Sequence, residues 1–300
     1  MSLLATAQPL VTHLAASSAS SPKHDMNLGQ AIVYGIVQGL TEFLPISSTA
    51  HLRIVPALFN WDDPGAPFTA VIQLGTTLAV VLYFWRELIQ VGSAWIRGLV
   101  DKSVRGTLEY RMGWYLILAT IPVGIFGVAF SHQIETGARN LWIISITMIV
   151  LAFVLLWAER VGTRNREEED LDVRDALAVG TAQALALIPG ASRSGTTITA
   201  GLFRGLDRAA AARFSFLLSI PAVVLSGLYE ARKIGDDGGA GAGLTGVALI
   251  FAFVVGLASI VWLMRWITKH STYVFIYYRV IVGVMLIALL ATGVIDATSK

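Results

Sequence analysis

The feature that most constrains this chain is a set of mostly apolar runs, each long enough to cross a lipid bilayer. A helical span needs ~20 mostly apolar residues, and such runs fall at about 68 to 85, 113 to 130, 141 to 158, 213 to 230, 244 to 264 and 273 to 293. Six full transmembrane helices are therefore expected. Only 14% of the residues are charged and the mean hydropathy is +0.67, so lipid rather than water is the solvent in which the chain folds. The formal net charge of +2 is spread in short basic clusters between the runs, which argues against nucleic acid as a partner. The absence of cysteine excludes disulfides and thiolate metal sites. Trp85, Trp114, Trp142, Trp157, Trp262 and Trp266 lie at or near the ends of the runs, where headgroup-level anchoring accounts for them.

Two further apolar stretches, about 29 to 60 and 175 to 204, are interrupted by proline and small hydroxyl residues. The interruptions read Leu44-Pro45-Ile46-Ser47-Ser48-Thr49 and Ile188-Pro189-Gly190-Ala191-Ser192-Arg193-Ser194. Broken backbone at membrane depth is tolerated only where protein or a wet cavity surrounds it, so each stretch is expected to be a re-entrant helical hairpin with its turn facing inward. The stretches also resemble each other. Laying Gly35–Thr49 over Gly180–Ser194 matches Gly35 with Gly180 and Gln38 with Gln183, and each is followed by a span opening near Phe68 or Phe214. The pattern suggests duplication.

Basic loops orient the array. The loops from Arg86 to Arg111 and from Arg160 to Arg174 are rich in arginine and are expected on the cytoplasmic side. Counting outward from them puts Asp62-Asp63 and Asp236-Asp237 outside, Arg204, Arg208 and Arg213 inside, and both termini outside. The expected fold is thus an all-α polytopic membrane protein whose two re-entrant hairpins belong to an inverted-topology repeat. Residues 1–27 are expected to be a disordered extension, and 28–300 one membrane domain of two inverted repeats, about 28–158 and 175–293.

Within this frame a few polar residues stand out. Glu42 is a carboxylate inside a membrane segment, which marks function by default, and Gln38 lies one helical turn before it. The bland alternative is that Glu42 pairs with an arginine to hold the bundle together. Ser47, Ser48 and Thr49 end the first broken turn, and His51 follows Ser48 at a spacing that puts hydroxyl and imidazole on one helical face. Ser and Thr in membrane helices also bond back to their own backbone, and a satisfied interior histidine is the rival reading for His51. Arg193, flanked by Ser192, Ser194 and Thr197, offers a fork of donors suited to phosphate oxygens. The glycines Gly190 and Gly195 allow close backbone approach there. The arginines from 204 to 213 and the acidic run Glu167 to Asp170 are read as solvated loop charge.

At these residues the chain resembles the undecaprenyl-diphosphate phosphatase family of bacteria, the bacitracin-resistance type. Two motifs carry the resemblance: QGLTE (Gln38 to Glu42) followed by FLPISSTAH, and PGASRSGTT (Pro189 to Thr197). It extends over most of residues 29 to 293. It implies hydrolysis of a C55 polyprenyl diphosphate to the monophosphate, a divalent cation, commonly Mg or Ca, and a site opening outward from the bacterial inner membrane. By motif position it implies catalytic roles for Glu42, Ser48, His51 and Arg193, a metal role for Glu42, and substrate contacts from Gln38, Ser47, Ser192, Ser194 and Thr197. The family pattern allows Glu or Gln at position 38, and Gln38 departs from the members that carry Glu there, which puts more of the base or metal role on Glu42. Ser48, His51 and a metal-bound water all remain open as the nucleophile. A polyprenyl-phosphate flippase or anion carrier is the rival class, because inverted repeats with broken helices serve transporters. A homodimer is compatible with the sequence.

Overall fold

The computed structural model describes residues 26–130, 140–231 and 241–298, and every element in it is helical. Among the described residues eleven α-helices follow in order: α1 Leu28–Thr41, α2 Ser48–Phe59, α3 Gly65–Tyr83, α4 Trp85–Val100, α5 Leu108–Ala129, α6 Leu141–Val161, α7 Val173–Ala184, α8 Arg193–Phe203, α9 Arg208–Ala231, α10 Gly241–Ile267 and α11 Tyr273–Ala291. Apart from Met26 and Asn27, the expected N-terminal extension lies outside the described residues, as does Asp236-Asp237. Asn27 opens α1 with a capping box, its side chain accepting from the Gln30 N–H.

The long helices coincide with the expected spans to within a few residues. Among the described residues, four (α5, α6, α10 and α11) are long and apolar enough to cross a membrane, or five if the bent α3–α4 pair counts as one span. The chain is a multi-pass membrane protein, and the expected count of six is not reached by this measure. Arg208 and Arg213 occupy the first two turns of α9 and lower its apolarity.

Both proline-broken stretches form pairs of short packed helices, α1 with α2 and α7 with α8. Their helices have 14, 12, 12 and 11 residues. At 1.5 Å per residue none exceeds ~21 Å, too short alone for a ~30 Å hydrocarbon core.

Packing follows the internal likeness. Helix α1 packs on α10 and α7 on α5, while α3 packs on α9 and α6 on α11. The aligned glycines explain the closeness of the first two contacts. A Cβ on Gly35 would lie 2.4 Å from the Ala248 carbonyl oxygen, and one on Gly180 2.5 Å from that of Ala119. Any larger side chain at either position would push a hairpin away from the helix behind it.

The basic end of the bundle corrects one expectation. Arg204, Arg208 and Arg213 are not loose solvated charge, because each meets a carboxylate. Asp175, with a fully buried side chain, accepts from Arg166 and Arg204. Glu159, equally buried, accepts from Arg164, Arg208 and the Thr272 hydroxyl. Arg213 reaches Glu87 and Glu168. Two carboxylates removed from water would be costly if unpaired, so these arginines hold the 162–172 connection against α6, α7, α8 and α9.

Candidate active site

The two broken turns meet inside the bundle, and the same backbone device builds both. Ser47 has φ 77° and Ser192 φ 67°, so each is an L-residue in the left-handed region. Each also N-caps the helix that follows: the Ser47 hydroxyl accepts from the Ala50 N–H and the Ser192 hydroxyl from the Gly195 N–H. The offset that pairs Gly35 with Gly180 also pairs Ser47 with Ser192. Positive φ at a serine costs of order 1–3 kcal/mol and persists where the surroundings over-determine it, commonly at functional sites. The turns touch directly where the Ser194 hydroxyl donates to the Leu44 carbonyl at 3.1 Å.

Glu42, at the C-cap of α1, is the hub of the polar network and is 6% exposed. One of its oxygens accepts from the Ser48 hydroxyl at 2.6 Å and from the Gln38 amide at 2.9 Å. The other accepts from the Arg193 guanidinium and from the Gln73 amide at 2.8 Å. Arg193 therefore spans the two hairpins, with a second bond to the Ser219 carbonyl at 3.3 Å. A short bond from a serine hydroxyl to an ionised carboxylate is charge-assisted and orients the oxygen lone pairs away from the acid.

His51 takes a different course from the one its spacing implied. Its ring bonds the Ser47 carbonyl through Nδ1 at 2.7 Å and the Tyr278 hydroxyl through Nε2 at 2.7 Å, instead of reaching Ser48. With Nδ1–H donating to the carbonyl, Nε2 is left to accept the Tyr278 proton. Of the other expected contacts, Ser47 also bonds Thr49, and Ser192 bonds Ser194. Thr197 points away from Glu42, its hydroxyl bonded to the Arg193 carbonyl and to Ser215. The structure thus gathers Gln38, Glu42, Ser48 and Arg193 into one network, lines the turns with Ser47, Ser192 and Ser194, and uses Thr197 to brace α8 on α9.

Sequence reasoning missed Gln73, Tyr278 and Arg279. Arg279 is fully buried and donates to the carbonyls of Pro45, Gly190, Ala191 and Met148. One side chain from α11 thereby ties both broken turns to each other and to α6. Its signal was available, since a lone arginine within the 273 to 293 run is as anomalous there as Glu42 is in its own segment. Gln73 carries no comparable signal, because a single amide in an apolar helix acquires meaning only when the fold sets it beside a carboxylate.

The residue aligned with Gln38 in the second broken stretch has different surroundings. Gln183 is fully buried, and both of its side-chain polar atoms lack a hydrogen-bond partner. The carboxylate it would need is replaced by Leu187 at the position matching Glu42. Replacing Gln183 with leucine removes an unsatisfied amide at similar volume and is expected to raise stability by about 1–3 kcal/mol. A lower melting temperature for Gln183→Leu in detergent would contradict this.

Two guanidiniums against one carboxylate, with the N-termini of α2 and α8 starting at the same place, give the site a net positive character suited to an anion. Fold and site together define a membrane-embedded helical protein with a carboxylate-held serine hydroxyl at its centre. The chain belongs to the bacitracin resistance protein BacA family, whose model matches residues 31–285. Among its relatives, the undecaprenyl-diphosphatase of Chloroherpeton thalassium is 50% identical over 283 residues, covering 91% of this chain and all of that protein. The undecaprenyl-diphosphatases of Mycobacterium ulcerans and Mycobacterium tuberculosis are each 50% identical over 277 residues, covering 91% of this chain and 100% and 98% of those proteins.

Proposed function

We propose that this chain is an integral membrane phosphatase that hydrolyses undecaprenyl diphosphate to undecaprenyl phosphate and inorganic phosphate. It would thereby recycle the lipid carrier of cell-wall synthesis and confer bacitracin resistance. The names of its relatives support the reaction. The observation that carries the mechanism is the 2.6 Å bond from the Ser48 hydroxyl to Glu42. A carrier of lipid phosphates needs an anion cradle but no hydroxyl held by a base, so this bond favours an enzyme over the flippase or anion carrier.

In the proposed reaction the Ser48 Oγ attacks the terminal phosphorus and Glu42 takes its proton. The bond from that phosphorus to the bridging oxygen breaks, and undecaprenyl phosphate leaves. Water then attacks the phosphoserine, giving inorganic phosphate and restoring the Ser48 hydroxyl. Arg193, released from Glu42 by the incoming phosphates, and the N–H groups that open α2 and α8 neutralise charge on the equatorial oxygens. Arg279 holds the turns that present those groups, and Tyr278 fixes the ring of His51.

A divalent cation, Mg or Ca, completes the proposal. Among the described residues no group of three or more His, Cys, Asp or Glu side chains gathers to hold a metal. Glu42, the one carboxylate in the network, is the side chain that would hold it. When bound it would supply Lewis-acid neutralisation of the phosphates. The site is proposed to open to the outside of the bacterial inner membrane, with both chain termini external and the hairpins related as inverted repeats.

Ser48→Ala tests the nucleophile. It removes the attacking oxygen and leaves the Glu42–Arg193 pair intact, so a folded protein with phosphate release reduced about 10²-fold or more is expected. Rapid quenching of wild type in denaturing detergent near neutral pH, where phosphoserine and phosphohistidine both survive, should leave the label of a terminally labelled substrate on Ser48. Label on His51, or undiminished release by Ser48→Ala, would reject Ser48 as nucleophile.

A further inference from the structure

The segment after α3 was expected to be a plain cytoplasmic loop, yet residues 85–100 form α4, which turns by 77° from the axis of α3. If α3 runs through the bilayer, α4 lies near the plane of its surface. The helix has three faces. One is buried on α5, where Gly98 lies under the Tyr110 ring and Trp95 meets Trp114 edge-on with ring centroids 5.6 Å apart. A second leaves Trp85, Ile89, Ile96 and Val100 exposed, Val100 to 90%. The third, alongside it, carries exposed Arg86, Gln90 and Arg97, and exposed Lys102 follows in the next turn.

The nearby acids offset these cations only in part. Glu87 is turned inward onto Arg213, while Asp101, held by the backbone and side chain of Ser103, offsets part of the charge of Arg97. Arg105 is used to close the helix, donating to the carbonyls of Gly98 and Leu99. Arg86 lies over the Trp85 ring at 5.3 Å, so its charge rides at the edge of the apolar face. An exposed apolar stripe bordered by basic side chains is the pattern of a helix floating at the headgroup boundary.

We propose that α4 is an in-plane surface helix whose Arg86, Arg97 and Lys102 bind the headgroups of anionic phospholipids. The apolar stripe sinks into the acyl boundary and the three cations meet lipid phosphates carrying a net negative charge. The proposal does not depend on the reaction the protein catalyses.

The test uses detergent-purified full-length protein exposed to equal amounts of phosphatidylglycerol and phosphatidylcholine, with retained lipids counted by native mass spectrometry. Wild type should retain phosphatidylglycerol at least tenfold more, since each basic residue near a surface contributes roughly a fivefold preference. Arg86→Gln/Arg97→Gln/Lys102→Gln, all at exposed positions, should fold normally and retain the two lipids about equally. Raising the salt to 1 M should erase the wild-type preference. A control, Arg160→Gln/Arg174→Gln, should keep it. No preference in wild type, an unchanged preference in the triple variant, or an equal loss in the control would each overturn the proposal.

Discussion

Glu42→Gln is expected to lower phosphate release from a polyprenyl diphosphate by about 10²- to 10⁴-fold, the usual worth of a positioned general base. Two losses combine. The amide is not basic enough to take the Ser48 proton, and its neutral group leaves Arg193 buried without a counter-charge. Removing one partner of a buried pair costs about 3–5 kcal/mol, so the variant should also melt earlier. The two effects separate by comparison with Ser48→Ala, which loses activity while keeping the Glu42–Arg193 pair. Wild-type-like turnover by folded Glu42→Gln would remove Glu42 from the mechanism.

Arg279→Met should have the largest structural effect. Methionine fits an apolar helix but leaves the carbonyls of Pro45, Gly190 and Ala191 without the donor that now serves them, while the Met148 carbonyl keeps its place in the α6 helical ladder. Each orphaned buried acceptor costs about 1–3 kcal/mol, against which must be set the relief of burying no charge. A net loss of about 3 kcal/mol or more is expected, read as a lower melting temperature in detergent. Activity should fall further than stability alone implies, because both turns lose their common tether and the site loses a positive charge. A variant that melts like wild type and turns over normally would show that the turns hold themselves.

How much of this was legible beforehand depended on whether a residue was anomalous in its own neighbourhood. Glu42 and Arg193 stand out because charge is costly in apolar runs, and the broken turns stand out because proline and hydroxyl residues interrupt a span. The likeness of Gly35 to Gly180 could be read as duplication, but its physical meaning, contact with the backbone of a facing helix, is a property of packing. His51 illustrates the opposite case. Helical spacing put it beside Ser48, while a partner distant in the chain, Tyr278, decides where its ring points. Helix α4 was missed because its charges were read as a loop. Its apolar residues recur at Trp85, Ile89, Ile96 and Val100, a helical pattern that charge counting overrode. The pairing of Arg204, Arg208 and Arg213 was likewise invisible until Asp175, Glu159 and Glu87 were brought beside them.

The most direct measurement is product analysis with an undecaprenyl diphosphate labelled in its terminal phosphate, given to the purified protein in lipid nanodiscs with Mg or with a chelator. The expected result is labelled inorganic phosphate and unlabelled undecaprenyl phosphate, released with Mg, suppressed by the chelator, and abolished in Glu42→Gln. Label that stays on the lipid while the folded protein binds it would contradict the account and turn the same network into a lipid-phosphate binding site.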